Sequence, residues 1–254
     1  MKYLAFGDSM SIDTYPLLSD GVRGFPSLIV ENDDGRFSDF RGRDLRTLHR
    51  DVVHENFAVD GATSEQVLAT QLPRAASRLA SGADLVTLTI GGNDLLATGL
   101  ALIGERAAMD ASAVAARFDD AAARFGGRLR GILRELRAHA STVLVGTIYD
   151  PTDGTGRFTD PTFSAGFGML LSPEATVRML GVWNGMIVGA AFDTGARLVD
   201  IHRHFLGHGN HSADSGSPYH DAADPTRWTY QTIEPNGRGA HELRRCFWET
   251  LARR

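Results

Sequence analysis

The stretch YLAFGDSMS, residues 3–11, runs four apolar residues straight into the polar turn Gly7-Asp8-Ser9. Four further segments repeat that design. Residues 52–57 precede Asp60-Gly61, residues 85–90 precede Gly91-Gly92-Asn93-Asp94, residues 143–148 precede Asp150-Pro151, and residues 198–201 precede His202. Each run has the length of a strand, favours β-branched or aromatic residues and closes on a turn. Helix-patterned stretches lie between them, at residues 64–80 behind an N-capping Thr63, 110–139, 173–192 and 240–253. The glycines near Gly126 are expected to break the second of these in two. Strands alternating with helices predict βαβ units and a parallel sheet covered on both faces. In such a sheet ligands bind beyond the carboxyl ends of the strands. Ser9, Gly61, Asn93, Asp150 and His202 are therefore expected along one edge, despite their separation in the chain.

The remaining composition narrows the chemistry. The chain has 254 residues and a net charge of −5, which argues against a nucleic-acid platform. Lys2 is the only lysine, so a Walker phosphate loop is excluded and Schiff-base chemistry is disfavoured. One cysteine, Cys246, excludes an intrachain disulfide and a cysteine-based zinc site. No Gly-x-Ser-x-Gly elbow and no Gly-x-Gly-x-x-Gly fingerprint is present. No run of about 18 apolar residues is found, so no membrane insertion is expected. The amino-terminal apolar run is too short for a signal peptide, and the chain reads as cytoplasmic. It reads as one domain over residues 1–254, with a long polar loop at about 202–230.

A serine on a tight turn after a strand presents its hydroxyl beside backbone N–H groups that favour an oxyanion. Gly61 lets a ligand approach its N–H, and Asn93 adds a side-chain amide. One hydroxyl nucleophile and three converging donors are the parts of acyl transfer through a tetrahedral intermediate.

Four pieces, FGDSMS (6–11), NFAVDGAT (56–63), LTIGGND (88–94) and EPNGRGAH (234–241), span nearly the whole chain. With them the chain resembles the SGNH, or GDSL-type, hydrolases. The resemblance implies a flavodoxin-like three-layer α/β/α sandwich with a five-stranded parallel sheet. It implies Ser9 as nucleophile, with the Ser9 and Gly61 N–H groups and the Asn93 side chain as oxyanion hole. It also implies a small ester as substrate, a short acyl ester or an acetylated sugar, and no cofactor. The last block departs from the family pattern Asp-x-x-His-Pro-Asn. Pro235 and Asn236 hold the register, so Glu234 stands in the slot of the base histidine and Gln231 in that of its aspartate.

The identity of the base therefore stays open. A histidine of the long loop (His202, His204, His208, His211 or His220) titrates in the right range. His208, between Gly207 and Gly209, is the preferred candidate. Glu234 could serve instead, provided burial raises its pKa. His241 falls inside the last helix and reads as a surface or capping residue. A non-catalytic binding module on the same fold is the second reading. A metal-dependent hydrolase using the loop histidines with Asp214 is the third, although no metal site is expected. Asp8, Asp94, Asp150, Asp153, Asp221 and Asp224 read mainly as turn or capping residues. Phe205, Tyr219, Trp228 and Tyr230 read as a lip over the site or as loop packing.

Overall fold

The structure is a computed structural model in which residues 1–105, 109–161 and 172–253 are described. Strand β1 (Lys2–Gly7) is followed by a single 3-10 turn at Ser9–Ser11, then α1 (Thr14–Asp20), α2 (Phe25–Val30) and α3 (Leu45–Leu48). After β2 (Val53–Asn56) come α4 (Ser64–Gln66), a π-helical stretch at Val67–Gln71, and α5 (Leu72–Ala80). Strand β3 (Ala83–Thr89) leads into α6 (Gly92–Glu105) and α7 (Ala111–His139), and β4 (Ala140–Gly146) precedes α8 (Pro173–Thr194). The chain ends with β5 (Arg197–Val199), α9 (Ile201–Phe205), a small hairpin of β6 (Thr229–Tyr230) and β7 (Glu234–Pro235), and α10 (Gly237–Ala252).

The five long strands form one parallel sheet in the order β2-β1-β3-β4-β5. Side chains alternate across it. Leu4, Phe6, Val86, Leu88, Val143 and Val145 face a core completed by α5, α7 and α8. Tyr3, Ala5, Leu85, Leu144 and Val199 face the opposite core, completed by α2, α9 and α10. This is the three-layer α/β/α sandwich expected from the sequence. Its strand order reverses between β1 and β3, where a crevice opens beyond the strand ends.

The short helices α1, α2, α3 and α9 and the β6–β7 hairpin were not anticipated, and other elements differ from expectation. α7 is one continuous helix: Gly126 costs some helix propensity but does not end it. A Cβ there would meet Met186 Sδ at 3.1 Å, so the glycine lets α7 and α8 pack closely. α6 was not anticipated, since its glycines and near-continuous apolar run hide a helical period. The stretch at 64–80 is helical but under-wound at Val67–Gln71, one residue short of Pro73, which has no N–H to give to a regular α-turn. α8 is by length and hydropathy sufficient to cross a membrane, although the sequence has no unbroken apolar run of that length. In the fold, its Met179, Trp183, Ile187 and Ala190 are core residues packed against the sheet and α7.

Two helix-borne amides clip the ends of the central strands. The Gln71 side chain accepts from the Gly7 N–H at 2.9 Å and donates to the Gly7 carbonyl at 2.7 Å. Asn184 of α8 does the same for Ile148, accepting and donating at 2.8 Å each. The π-helical winding brings Gln71 onto the strand end, and Gln71 is buried there. Gly7 itself has φ +133°, and any Cβ would overlap the Thr89 carbonyl.

Candidate active site

The turn after β1 is held from several sides. The Asp8 N–H donates to the Thr89 carbonyl at 3.1 Å. The Asp8 carboxylate caps the 3-10 turn by accepting from the Met10 N–H at 3.2 Å and also accepts the Thr89 hydroxyl at 2.9 Å. Its burial, reinforced by the charge of Glu234, lifts the Asp8 carboxyl to about 7 despite these donors. Asp8 is thus a capping residue, as its position suggested, and one with an abnormal proton affinity. Ser9, at the centre of this turn, lines an apolar cavity of about 120 Å³ together with Asn93 and Asp150.

Asn93 stands in the first turn of α6 and donates from Nδ2 to the Ala62 carbonyl at 3.1 Å. That bond sets it beside the turn carrying Gly61. Gly61 has φ +70°, a conformation that favours glycine, and the space where a Cβ would point is open. An amide has two N–H donors, so Asn93 retains one beyond its bond to Ala62. Ser9, Gly61 and Asn93 therefore come from the ends of β1, β2 and β3 to one edge of the sheet.

The hairpin of β6 and β7 delivers the fourth group. Tyr230 pairs with Glu234, and the tip between them includes exposed Gln231 in a left-handed conformation, φ +51°. Asn236 secures the far side: its side chain caps α10 at Gly239 N–H (2.8 Å) and donates to the Arg227 carbonyl (2.8 Å). So placed, the Glu234 carboxylate interacts with the Ser9 hydroxyl, which offsets part of the effect of burial on its proton affinity. Its Oε2 is buried without a hydrogen-bond partner. Desolvation, with a smaller contribution from the negative charge of Asp60, raises Glu234 to about 7. Asp60 in turn accepts the Tyr15 hydroxyl at 2.8 Å. Tyr15, which follows the nucleophile turn and reads in the sequence as helix packing or pocket lining, is brought with Asp60 near Glu234 only by the fold.

His202 Nδ1 is buried without a hydrogen-bond partner, the other loop histidines have ring partners of their own, and the preferred candidate His208 is not among the residues that line the cavity beside Ser9. Its Nδ1 meets the Thr226 carbonyl at 3.1 Å and its ring stacks on Trp228 at 3.5 Å. Gly207 and Gly209 serve close backbone packing: a Cβ on them would run into the Tyr219 and Pro151 carbonyls. The loop is organised by buried Asp153, which accepts the N–H groups of Gly207, Gly209 and His211 at 2.8–3.0 Å. His204 pairs with Glu242 at 2.9 Å, His211 meets the Arg157 carbonyl at 2.7 Å, and His220 meets the Ser212 carbonyl at 2.9 Å. The main chain of His202 donates to Thr147 Oγ1 at 2.9 Å. Among the described residues no three His, Cys, Asp or Glu side chains gather as a metal site would require. His241, expected near the surface, is fully buried and stacks on Phe37 at 4.1 Å. Burial and the neighbouring Arg244 lower it to about 4. Phe205 and Trp228 are core residues, whereas Tyr219 is half exposed.

Comparison with known proteins bears on the fold and the family. The profile of the GDSL-like lipase/acylhydrolase family matches residues 5–241. No curated protein matches the sequence. Among solved structures, the chain is similar to an extracellular lipase of Streptomyces rimosus, with 21% identity, a TM-score of 0.61, and 99% of this chain and 98% of the other covered. It is similar to a phospholipase A1 of Streptomyces albidoflavus NA297, with 25% identity, a TM-score of 0.57 and coverages of 98% and 97%. An acetylxylan esterase of Geobacillus stearothermophilus shares the fold at 16% identity, a TM-score of 0.58 and coverages of 100% and 94%. With a serine at the end of β1, a glycine turn after β2 and an asparagine after β3 in the family's order, the chain belongs to the GDSL-like lipase/acylhydrolase family and is an SGNH ester hydrolase.

Proposed function

We propose that the chain is a serine esterase for short-chain fatty acyl esters, with Ser9 as nucleophile and Glu234 as its general base. The observation that carries this reading is the meeting of the Ser9 hydroxyl with a carboxylate lifted to about 7. An ordinary glutamate, near 4.3, is too weak a base for a hydroxyl; one near 7 is matched to proton transfer at neutral pH.

In this mechanism Glu234 takes the Ser9 proton as Oγ attacks the ester carbonyl carbon. The Ser9 and Gly61 N–H groups and the free N–H of Asn93 stabilise the oxyanion. As the carbon–alkoxy bond breaks, protonated Glu234 returns the proton to the departing alcohol, leaving an acyl-serine. Water then attacks the acyl carbonyl, Glu234 accepts its proton, and Ser9 is regenerated as the acid leaves. Glu234 works only when ionised, so activity rises with pH through about 7.

The substrate follows from the cavity wall. Leu95, Leu96, Ile148, Met179 and Leu180 line it beside Ser9. An apolar cavity of about 150 Å³ holds a benzene molecule. A cavity of about 120 Å³ thus suits an acyl chain of roughly four to six carbons, and its apolar wall disfavours a sugar.

The test is a p-nitrophenyl ester series with fluorophosphonate labelling. Rates are expected to peak at butyrate to hexanoate, and Ser9→Ala is expected to abolish labelling and cut kcat by at least about 1000-fold. Activity that persists in Ser9→Ala would refute the assignment. A series that falls steadily from acetate would refute the acyl-chain reading.

A further inference from the structure

The donors of the proposed oxyanion hole stand on separate elements, and a side chain from a third element ties two of them together. Asp94, next to Asn93, accepts the Ser64 N–H at 2.8 Å and the Ser64 hydroxyl at 2.6 Å. Ser64 opens α4, three residues after Gly61. Arg128, from the middle of α7, donates Nε to Ser64 Oγ at 2.8 Å and Nη2 to Asp94 Oδ1 at 3.1 Å. Ser64 is fully buried and Asp94 nearly so. The three side chains form a closed ring that joins the Gly61 turn, the first turn of α6 and α7.

We propose that Arg128 is a positioning residue for the oxyanion hole, setting the spacing between the Gly61 N–H and the Asn93 amide. The inference rests on the esterase reading. Its physical basis is the rigid guanidinium fork, which reaches two acceptors on two elements at fixed separation; an ammonium is a single point donor. The Arg128 side chain bonds Ser64 and Asp94, the neighbours in sequence of the Gly61 turn and of Asn93, so the effect passes through Ser64 and Asp94. Donors aimed at an oxyanion act in the transition state more than in the ground state, so misplacing them lowers kcat and spares KM.

The test is a double-mutant cycle on a p-nitrophenyl butyrate assay. Arg128→Ala is expected to lower kcat roughly tenfold with KM unchanged within about twofold, because small misplacements at a reacting centre are costly. Arg128→Lys should fall between Arg128→Ala and wild type. In an Asn93→Ala background, Arg128→Ala should cost less than about twofold further, since the donor it positions is gone. Ile132→Val, a buried α7 substitution away from the ring, should lower Tm and leave kcat unchanged. The proposal is overturned if Arg128→Ala keeps wild-type kcat, raises KM alone, or costs the same in both backgrounds. If Arg128→Ala does not fold, the Arg128→Lys cycle with Asn93→Ala decides by the same criterion. Fluorophosphonate labelling separates this idea from the one beneath it: labelling lost with Ser9→Ala keeps the serine assignment standing even where the cycle overturns the ring.

Discussion

Glu234 and Glu242 lie eight positions apart in one stretch of chain, and burial is the largest influence on both, yet they titrate at opposite ends of the carboxylate range. Glu234 is lifted to about 7 and Glu242 is held at about 2. The difference is company. Glu242 faces His204 at 2.9 Å, Arg245 at 3.1 Å and Arg238 at 3.1 Å, with His241 nearby. Glu234 has a neutral hydroxyl and the negative Asp60. Desolvation alone makes a carboxylate a base; desolvation among cations makes it a fixed anion. The same backbone segment thus carries a carboxylate of raised proton affinity on the hairpin and a fixed anion on α10.

Substitutions can break this pairing of opposites, and the largest effect is expected at the hairpin. Glu234→Gln should lower kcat by about 100- to 10,000-fold, the usual worth of a positioned base, and abolish the rise in activity through pH 7. Stability should move the other way. Because the folded-state pKa lies above the unfolded value, the contribution of Glu234 is fully present below about 4.5 and lost as pH rises through about 7. Thermal melts above pH 7 should therefore show Glu234→Gln to be more stable than wild type.

Glu242→Gln should give the converse, with kcat kept within about twofold and a loss of about 3 kcal/mol in urea unfolding at pH 7, because cations lose a buried partner. The depressed pKa makes this contribution present above about 4.5 and lost as pH falls through about 2, so the deficit should vanish in strong acid. The smallest effect is expected for Asp60→Asn. Removing its charge should shift the ascending limb of the pH–rate profile downward, and an unmoved limb would separate Asp60 from the titration of Glu234.

The two regions also differed in how far the sequence disclosed them. Strand runs ending in Gly7-Asp8-Ser9 and Gly91-Gly92-Asn93 were readable because a parallel sheet buried on both faces leaves near-continuous apolar segments. Pro235 and Asn236 placed Glu234 in the slot of the missing histidine. The choice between Glu234 and His208 depended on where a hairpin tip and a 29-residue loop would lie, and Asp153 settles that loop through contacts more than 50 positions away. Arg128 was equally hidden, since its partners Ser64 and Asp94 lie 64 and 34 positions upstream. Burial of His241 required knowing that Phe37 would cover it.

The paired amides of Gln71 and Asn184 have a consequence for dynamics. Each takes the place of a neighbouring strand's peptide group, extending the hydrogen-bonded lattice past the last regular rung of β1 and β4. The turns after β1 and β4 are thereby riveted to helices packed in the core. Proton exchange at the Gly7 and Ile148 amides should follow unfolding of the whole sheet and not the breathing of a surface loop.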